Sequence, residues 1–335
     1  MMNDSIANTL KRIEGYINRT PVFESSLLNE FLGQKIFFKL EPLQKVGAFK
    51  ARGAINTLLK LKEEGALPKE VVTFSLGNHA QGVAWAAKTM GIKATILMDQ
   101  NSSSLKQQAT KSYGANLVIT KDRNESEARV QEFIDKGAYF IHPYANPNVI
   151  AGQCTACYEA LLDIKEEIDA IFVPCGGGGL SSGTFLAAKE LSPKSKLIAC
   201  EPVNANDAAR SIKHGKIFRF SQSPDTIADG VKTLSIAEIT FHYLKQFDAF
   251  LELTEEEIIY WTQWLTHLLK VNIEPSSAMA MAAAYKWLKG NKLKNQNILI
   301  IVSGGNISCE KHKEIWACDY LNYPPSLGNH TLNLS

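Results

Sequence analysis

Residues 170–192 of the chain are AIFVPCGGGGLSSGTFLAAKELS. The apolar segment 170–175 predicts a buried strand, and the segment 181–192 has the pattern of a helix. Between them stand four consecutive glycines: Gly176, Gly177, Gly178 and Gly179. The amides of a glycine turn that opens a helix can bind an anion, and glycine lets the ligand approach the backbone closely. This stretch therefore predicts a strand–turn–helix unit with a phosphate-binding turn.

The glycine run departs from two common nucleotide-binding patterns. A dinucleotide fingerprint needs a third glycine, but Ser181 and Ser182 occupy the two positions where it would fall. A P-loop ends in Gly-Lys followed by Ser or Thr, which is absent from this run. A turn without a ligand explains one or two glycines, whereas four in succession favour an anion site.

Strand and helix patterns alternate along nearly the whole chain. Such alternation predicts an α/β fold of βαβ units, with open, mainly parallel sheets flanked by helices. The predicted strands are 35–41, 71–75, 94–99, 115–120, 170–175, 196–202 and 297–305. The predicted helices are 48–65, 78–91, 103–114, 125–137 and 181–192. A break in the pattern between His142 and Pro147 marks a possible lobe boundary.

Composition excludes several classes of protein. Charged residues make up 21 % and apolar residues 45 % of the 335 positions, and 36 basic against 34 acidic residues give a net charge of +2. This balance is ordinary for a soluble globular protein and favours neither nucleic acid nor an anionic membrane as a partner. The apolar runs are too short to span a bilayer. The N-terminal segment lacks the apolar core of a secretory signal, so we expect a cytoplasmic protein.

The six cysteines are scattered and do not resemble a disulfide scaffold. Cys154 and Cys157 form a C-x-x-C pair, but no second pair follows to complete a zinc site. Because they fall in a helical pattern, we expect two small residues that face a packed interior.

Three further segments carry candidate chemistry. Lys50 stands beside a glycine turn and the ring of Phe49, where it could form a Schiff base with a carbonyl cofactor. Ser303 ends a strand and could place a neutral hydroxyl on a pyridine nitrogen, although a plain strand-end turn remains an alternative. The third segment leaves a strand, enters a helix and could bind a carboxylate: Ser75, Leu76, Gly77, Asn78 and His79. A hydrogen bond at the helix start and a direct catalytic role are equally open for His79.

Glu201, Ala205 and Asp207 follow another predicted strand. Two carboxylates and a carbonyl could bind Mg²⁺ or Ca²⁺. From spacing alone, acids near a helix start are more often caps, and that interpretation is favoured here.

With these motifs in place, the chain resembles the fold-type-II pyridoxal-phosphate family of serine/threonine dehydratases and serine racemases. The resemblance runs from Thr20 to Asn306 and includes KLEPLQKVGAFKARGA, IAGQ, TIADGVK and IEPSSA. It implies a two-lobed, tryptophan synthase β-like fold. The expected parts are a large cofactor-binding lobe (1–62 with 147–322), a small mobile lobe (63–146) and a loosely ordered tail (323–335).

The resemblance also implies residue roles. Lys50 would carry pyridoxal 5'-phosphate as a Schiff base and, once released, remove the α-proton of the substrate. The other cofactor contacts would be Phe49 and Glu274 near the ring, Asn78 at the phenolic oxygen, Gly176 to Gly179 at the phosphate and Ser303 at the ring nitrogen. Ser75 to His79 would bind the substrate carboxylate, and Gly230 would lie near its amine. Glu201, Ala205 and Asp207 match the divalent-cation site of the racemase-like members.

Three positions differ from the pattern of the family. Ala48 replaces the usual serine before Phe-Lys, so a hydroxyl contact is lost. Leu76 occupies the position where racemases have a serine that works on the opposite face of the substrate carbon, and leucine cannot exchange a proton. Cys154 replaces the usual glycine of GQGT.

The implied activity is a cytoplasmic pyridoxal-phosphate lyase that converts an L-β-hydroxy amino acid to a 2-oxo acid and ammonia. L-Threonine and L-serine are the expected substrates, and a homodimer or homotetramer is the expected assembly. The alternatives are a 3-hydroxyaspartate dehydratase, which would need an extra cation near the second carboxylate, a serine racemase, which Leu76 argues against, and a cofactor-binding protein without turnover. A nicotinamide oxidoreductase is the most distant alternative.

Overall fold

The computed structural model describes residues 4–75 and 77–327. The strands are β1 Val22–Glu24, β2 Lys35–Leu40, β3 Glu70–Phe74, β4 Lys93–Asp99, β5 Asn116–Thr120, β6 Tyr139–Phe140, β7 Ala170–Pro174, β8 Lys196–Pro202, β9 Ala249–Leu253 and β10 Asn297–Val302. The helices are α1 Ile6–Ile13, α2 Ser26–Leu32, α3 Lys50–Glu63, α4 Asn78–Met90, α5 Ser104–Ser112, α6 Arg123–Ile134, α7 Pro147–Asp163, α8 Gly179–Leu191, α9 Asp207–His214, α10 Glu238–Leu244, α11 Glu255–Leu269, α12 Pro275–Asn291 and α13 Cys309–Ile315.

The described strands form two sheets. One has six strands in the order β1-β2-β10-β7-β8-β9, and the other has four in the order β5-β4-β3-β6. All neighbouring pairs are parallel except β1 with β2. The predicted α/β class with mainly parallel sheets is therefore confirmed. The three-residue β1 was not predicted, because so short a segment shows no periodicity.

Helices cover both faces of the large sheet. On β7, Phe172 points into a core shared with α11 and α12, and its neighbour Ile171 points into one shared with α7 and α8. Successive residues of a strand face opposite sides, so a strand buried on both faces is apolar throughout. This explains the continuous apolar runs that predicted these strands.

The small sheet is made of strands between residues 70 and 140, and α3, α4 and α6 pack on it. The lobe boundaries and the mobility of the small lobe stay predictions. Within the expected tail, Tyr260 Oη donates to the Tyr323 carbonyl at 2.8 Å and Tyr285 Oη to the Ser326 carbonyl at 2.7 Å. Residues 328–335 lie outside the described part of the chain.

Several helix boundaries differ from the prediction by one to three residues, and two of these differences have a local cause. The helix predicted from residue 48 begins at Lys50, because Ala48 pairs with Gly304 in an isolated antiparallel bridge. The helix predicted from residue 181 begins at Gly179, because the left-handed Gly178, with φ of 87°, turns the chain directly into it. The glycine run thus leads directly into α8, and its last residue, Gly179, is the first residue of the helix. No helix in the described residues has both the length and the apolar character needed to cross a membrane.

Four of the six cysteines are buried, and two are exposed. Cys154 and Cys157 lie inside α7, as expected, and burial raises the pKa of the Cys157 thiol to about 12. Burial also raises the pKa values of Cys154, Cys175 and Cys200 well above the usual range. The exposed thiols are those of Cys309 and Cys318.

Candidate active site

One pocket opens at the carboxyl ends of β3, β7 and β10. Ligands of open α/β sheets bind at such strand ends. The pocket brings together these predicted site residues: Phe49, Lys50, Ser75, Gly77, Asn78, His79, Gly176, Gly177, Gly178, Gly179, Gly230, Glu274 and Ser303. Leu76 lies outside the described residues. Glu201, Ala205 and Asp207 are not part of the lining of this pocket.

Lys50 is the first residue of α3, and its Nζ donates to the Pro143 carbonyl at 2.9 Å. The ammonium lies 5.0 Å from the centroid of the Phe49 ring. Desolvation, and then the positive charge of Arg123, lower the pKa of Lys50 to about 7. A large fraction of this amine is therefore neutral and nucleophilic at neutral pH.

The glycine run forms a turn of free amides. None of the four amides from Gly176 to Gly179 donates a backbone hydrogen bond to another described residue, and α8 begins at Gly179. Backbone donors at a helix N-terminus attract an anion. The turn also needs glycine for packing, because a Cβ on Gly177 would lie 2.2 Å from Cδ1 of Tyr144.

Asn78 links the start of α4 to residues beside the large sheet. Its Nδ2 donates to Oε1 and Oε2 of Glu274 at 3.0 and 2.9 Å, and its Oδ1 accepts from Asn306 Nδ2 at 2.9 Å. Glu274 is buried at the start of α12. Burial, and then the negative charge of Asp229, raise the pKa of Glu274 to about 7.

Ser303 follows β10, and its Oγ is 2.9 Å from Ser277 Oγ. Ser277 Oγ also donates to the Gly304 carbonyl at 2.8 Å and accepts from the Gly304 amide at 2.7 Å. The hydrogen-bond partner of the Ser303 hydroxyl is thus another neutral hydroxyl, that of Ser277. A neutral hydroxyl at a pyridine nitrogen would leave that nitrogen largely unprotonated.

His79 lies buried in the first turn of α4, and its Nε2 donates to the Ile141 carbonyl at 3.0 Å. Desolvation, and then the charge of Lys50, hold its pKa well below the usual range. The imidazole is neutral, with Nδ1 lacking a hydrogen-bond partner among the described residues. Between the two roles considered for His79, this geometry favours the structural one.

Sequence inspection missed four charged residues of the pocket lining: Lys106, Arg123, Asp229 and Lys232. Lys106 lies on α5 and forms an ion pair with Asp229 across the pocket mouth. Arg123 is the first residue of α6 and pairs with Glu127. Basic residues on polar helices have the pattern of solvated surface charges, so no local signal distinguishes these two.

Of the three positions that differ from the family pattern, Ala48 and Cys154 lie in the described residues, and both are buried. Ala48 is fully buried, and a Cβ on Gly304 would lie 3.0 Å from the Ala48 Cβ. Cys154 lies where α7 crosses α8, with its backbone nitrogen 2.6 Å from the position of a Cβ on Gly183. These contacts therefore require glycine at the neighbouring positions Gly304 and Gly183.

The proposed metal ligands lie at the end of β8 and the start of α9. Glu201 Oε1 accepts from the Ala208 amide at 3.0 Å, and Oε2 accepts from the Ala209 amide at 2.7 Å. This is the capping role that spacing alone favoured. Ala205 is fully buried in the single turn that precedes α9.

Asp207 is also buried, and its Oδ1 accepts from Thr233 Oγ1 at 3.3 Å. Its Oδ2 has no hydrogen-bond partner in the part of the chain that the structure describes. Desolvation raises the pKa of Asp207 to about 7, and burial, followed by the charge of Asp207, raises that of Glu201 well above the usual range. Among the described residues, no group of three or more His, Cys, Asp or Glu side chains is arranged to hold a metal ion.

The residues of the pocket fit pyridoxal phosphate: a lysine amine of lowered pKa, a turn of free amides and a neutral hydroxyl. A family model described as pyridoxal-phosphate dependent enzyme matches residues 13–304. The chain belongs to this family. The predicted family, fold type and cofactor are therefore confirmed.

Individual relatives are similar over almost their whole length. The chain is 39 % identical to the L-threo-3-hydroxyaspartate ammonia-lyase of Saccharomyces cerevisiae, over 92 % of this chain and 94 % of that protein. It is 41 % identical to the serine racemase of Dictyostelium discoideum, over 91 % and 94 %. Its structure matches that of a T.th. threonine deaminase with a TM-score of 0.84 and 38 % identity, over 90 % of this chain and 97 % of that one. These similarities bear out the prediction of a pyridoxal-phosphate-dependent lyase.

Proposed function

We propose that the protein is an ammonia-lyase that converts an L-β-hydroxy amino acid to a 2-oxo acid and ammonia. The observation that carries this proposal is the amine of Lys50, whose pKa of about 7 makes it a proton acceptor at neutral pH. It lies in one pocket with the free amides of the glycine run and the neutral hydroxyl of Ser303.

The chain contributes binding and proton transfer. Lys50 would anchor pyridoxal phosphate, Gly176 to Gly179 would bind its phosphate and Ser303 would meet its ring nitrogen, and the bound cofactor would supply an electron sink for the electrons left at the α-carbon. Ser75, Gly77 and the N-terminus of α4 would bind the substrate carboxylate. Once the substrate amine has released Lys50, its Nζ would accept the α-proton. The β-hydroxyl would take up one proton, which balances the proton gained by Lys50, and leave as water. The enamine that remains would react with one water to give the 2-oxo acid and ammonia.

The test is 2-oxo acid release by cofactor-loaded protein from L-serine, L-threonine and L-threo-3-hydroxyaspartate. Release from any of the three supports the lyase. Cofactor binding without release from any of them would contradict it.

Serine racemase is the second candidate, because the D. discoideum relative carries that name. Racemisation needs a proton donor on the opposite face of the α-carbon, and Leu76 offers none. We therefore expect L-serine to give pyruvate and no measurable D-serine, which chiral chromatography of the products would check.

We further propose that Glu201, the Ala205 carbonyl and Asp207 bind Mg²⁺ or Ca²⁺. Two observations support this site. Asp207 Oδ2 has no hydrogen-bond partner among the described residues. The buried carboxylates of Glu201 and Asp207 are neighbours, and a cation would offset their electrostatic repulsion. Mg²⁺ should raise the melting temperature of the wild type and of Asp135→Asn, an exposed control, but not that of Asp207→Asn. An equal response of all three proteins would exclude the site.

Finally, we propose a cytoplasmic homodimer or homotetramer. Family resemblance is the support for the assembly, and light scattering of the purified protein tests it. Cell fractionation tests the compartment.

A further inference from the structure

His142 does not line the pocket, and the proposed mechanism gives it no role. The two residues that follow it, Pro143 and Tyr144, do line the pocket. Three aromatic rings pack around its half-buried imidazole, with centroids 5.8, 5.3 and 4.6 Å away: those of Phe74, Phe140 and Tyr144. The orientation of this imidazole is therefore fixed next to the pocket wall.

The Nδ1 atom of His142 accepts two backbone hydrogen bonds. The Tyr144 amide donates to it at 3.2 Å and the Ala145 amide at 2.8 Å. Desolvation, and then the positive charge of Arg123, lower the pKa of His142 to about 4. At neutral pH the ring is therefore uncharged, its proton is on Nε2, and Nδ1 keeps the lone pair that accepts both bonds. The imidazole thus closes residues 142–145 into a turn.

The chain repeats this arrangement four residues later with a different side chain. Asn146 Oδ1 accepts from the Asn148 amide at 2.9 Å and from the Val149 amide at 3.2 Å. His142 and Asn146 each bond the amides two and three positions ahead, which is a pattern typical of asparagine at turns and helix starts. We therefore expect that an asparagine at position 142 would hold the same turn.

The turn carries two contacts to the residues expected to bind the cofactor. The Pro143 carbonyl accepts from Lys50 Nζ at 2.9 Å. The Tyr144 ring packs against the glycine run, where a Cβ on Gly177 would lie 2.2 Å from its Cδ1, and its Oη donates to the Ser235 carbonyl at 2.9 Å. Because Pro143 and Tyr144 are consecutive, one turn positions both the anchoring amine and the wall of the phosphate-binding turn.

Other contacts fix the two ends of this segment. The Ile141 amide donates to the Val72 carbonyl at 3.0 Å, and the Ile141 carbonyl accepts from Thr73 Oγ1 at 2.7 Å. At the other end, Asn146 caps α7. The shape of the backbone between these ends therefore depends on the acceptor that His142 provides.

We propose that His142 is a positioning residue for cofactor binding, because its Nδ1 holds the turn that places the Pro143 carbonyl at Lys50 and the Tyr144 ring at the glycine run. The inference concerns the cofactor, so binding measurements test it whichever amino acid the enzyme converts. A histidine that only packed in the core would act through its ring, whereas this role requires an acceptor atom. Two substitutions separate the two properties: His142→Phe keeps a ring without an acceptor, and His142→Asn keeps an acceptor without a ring.

The test titrates full-length protein, freed of cofactor, with pyridoxal phosphate and follows the absorbance of the Schiff base. In His142→Phe the dissociation constant should rise about 10- to 100-fold, because two amide donors lose their partner. His142→Asn should stay within about threefold of wild type, even though the lost ring packing lowers its melting temperature. His242→Phe is the control and should bind as wild type, since His242 is exposed on α10 and does not line the pocket.

Three outcomes overturn the inference. Wild-type affinity in His142→Phe would show that the turn does not need the acceptor. Equal losses in His142→Phe and His142→Asn would show that ring packing, rather than Nδ1, determines the affinity. A loss in His242→Phe as large as that in His142→Phe would show that the effect is not specific to this turn.

If thermal unfolding shows that His142→Phe does not fold, an isosteric pair provides the same comparison. His142→Thr and His142→Val both lack the ring and have nearly the same shape, but only the threonine hydroxyl can accept from amides ahead in the chain. The threonine variant should bind pyridoxal phosphate at least about tenfold more tightly than the valine variant. Equal affinities of these two variants would overturn the inference.

Discussion

The Asn78 amide donates to both carboxylate oxygens of Glu274, at 3.0 and 2.9 Å. Asn78 begins the helix that follows β3 of the small sheet, and Glu274 is the N-cap residue of the helix that packs on the large sheet. The protonation state of the Glu274 carboxyl therefore affects the hydrogen bonds that connect the two sheets at the pocket.

Glu274→Gln tests this link through pH. Burial raises the pKa of Glu274 from 4.5 to about 7, so the native state binds more protons than the unfolded state between these values. The contribution of the Glu274 carboxyl to the free energy of unfolding has its full value below pH 4.5 and is lost as pH rises to about 7. Relative to wild type, Glu274→Gln should gain about 1–3 kcal/mol of unfolding free energy between pH 5 and pH 8. Urea unfolding at both values measures this gain, and the exposed Glu14→Gln should show none.

Lys50→Ala should abolish turnover and the visible absorbance of bound cofactor. In the wild type, the rate of cofactor uptake should rise as pH increases through about 7, because the reactive form of Lys50 is the neutral amine. Stopped-flow absorbance of protein mixed with pyridoxal phosphate measures this rate. The exposed Lys88→Ala should behave as wild type. Full activity of Lys50→Ala would refute the mechanism.

Gly177→Ala should weaken cofactor binding and lower stability. The added methyl would lie 2.2 Å from Cδ1 of Tyr144, so the ring or the turn must move. Gly290→Ala is the control, because a Cβ there meets nothing within 4 Å and the residue lies in α12. We expect that control to gain about 0.5–1 kcal/mol. Titration with pyridoxal phosphate and thermal unfolding would measure both effects. Wild-type cofactor affinity in Gly177→Ala would show that the turn tolerates a side chain.

Arg52→Leu should destabilise the fold by about 3–5 kcal/mol, because it leaves the buried Glu41 carboxylate without its ion-pair partner and leaves Glu159 with Lys39 alone. Arg52 Nε donates to Glu41 Oε2 at 2.7 Å and Nη2 donates to Glu159 Oε2 at 2.8 Å, and all three side chains are at most 1 % exposed. The partly exposed Arg129→Leu should cost less than about 0.5 kcal/mol. Urea denaturation distinguishes the two variants. Similar losses of unfolding free energy in both variants would show that the ion pairs of Arg52 with Glu41 and Glu159 contribute little to stability.

The sequence allowed the sheets and the glycine turn to be predicted, because both depend on local patterns. Apolar runs such as 170–175 reflect strands buried on both faces, and the glycines mark a turn that must pass Tyr144. The short β1 was missed, since three residues carry no usable periodicity.

The charged rim of the pocket could not be predicted in the same way. Lys106 and Arg123 become pocket residues only because α5 and α6 approach Asp229 and Lys232, which lie more than a hundred positions away. Their local sequence is that of exposed helices. Long-range packing of α5 and α6, rather than any motif, brings these two cations to the pocket.

The number of reactive cysteine thiols can be used to measure the unfolded fraction of the protein. A thiol reagent should modify Cys309 and Cys318 in the native protein, since these two are exposed while Cys154, Cys157, Cys175 and Cys200 are enclosed in the core. Denaturant should bring the count from two to all six. The reactive stoichiometry therefore reports the unfolded fraction of any variant without an added label. The two outer positions can also carry a fluorophore, because neither contributes to the lining of the pocket.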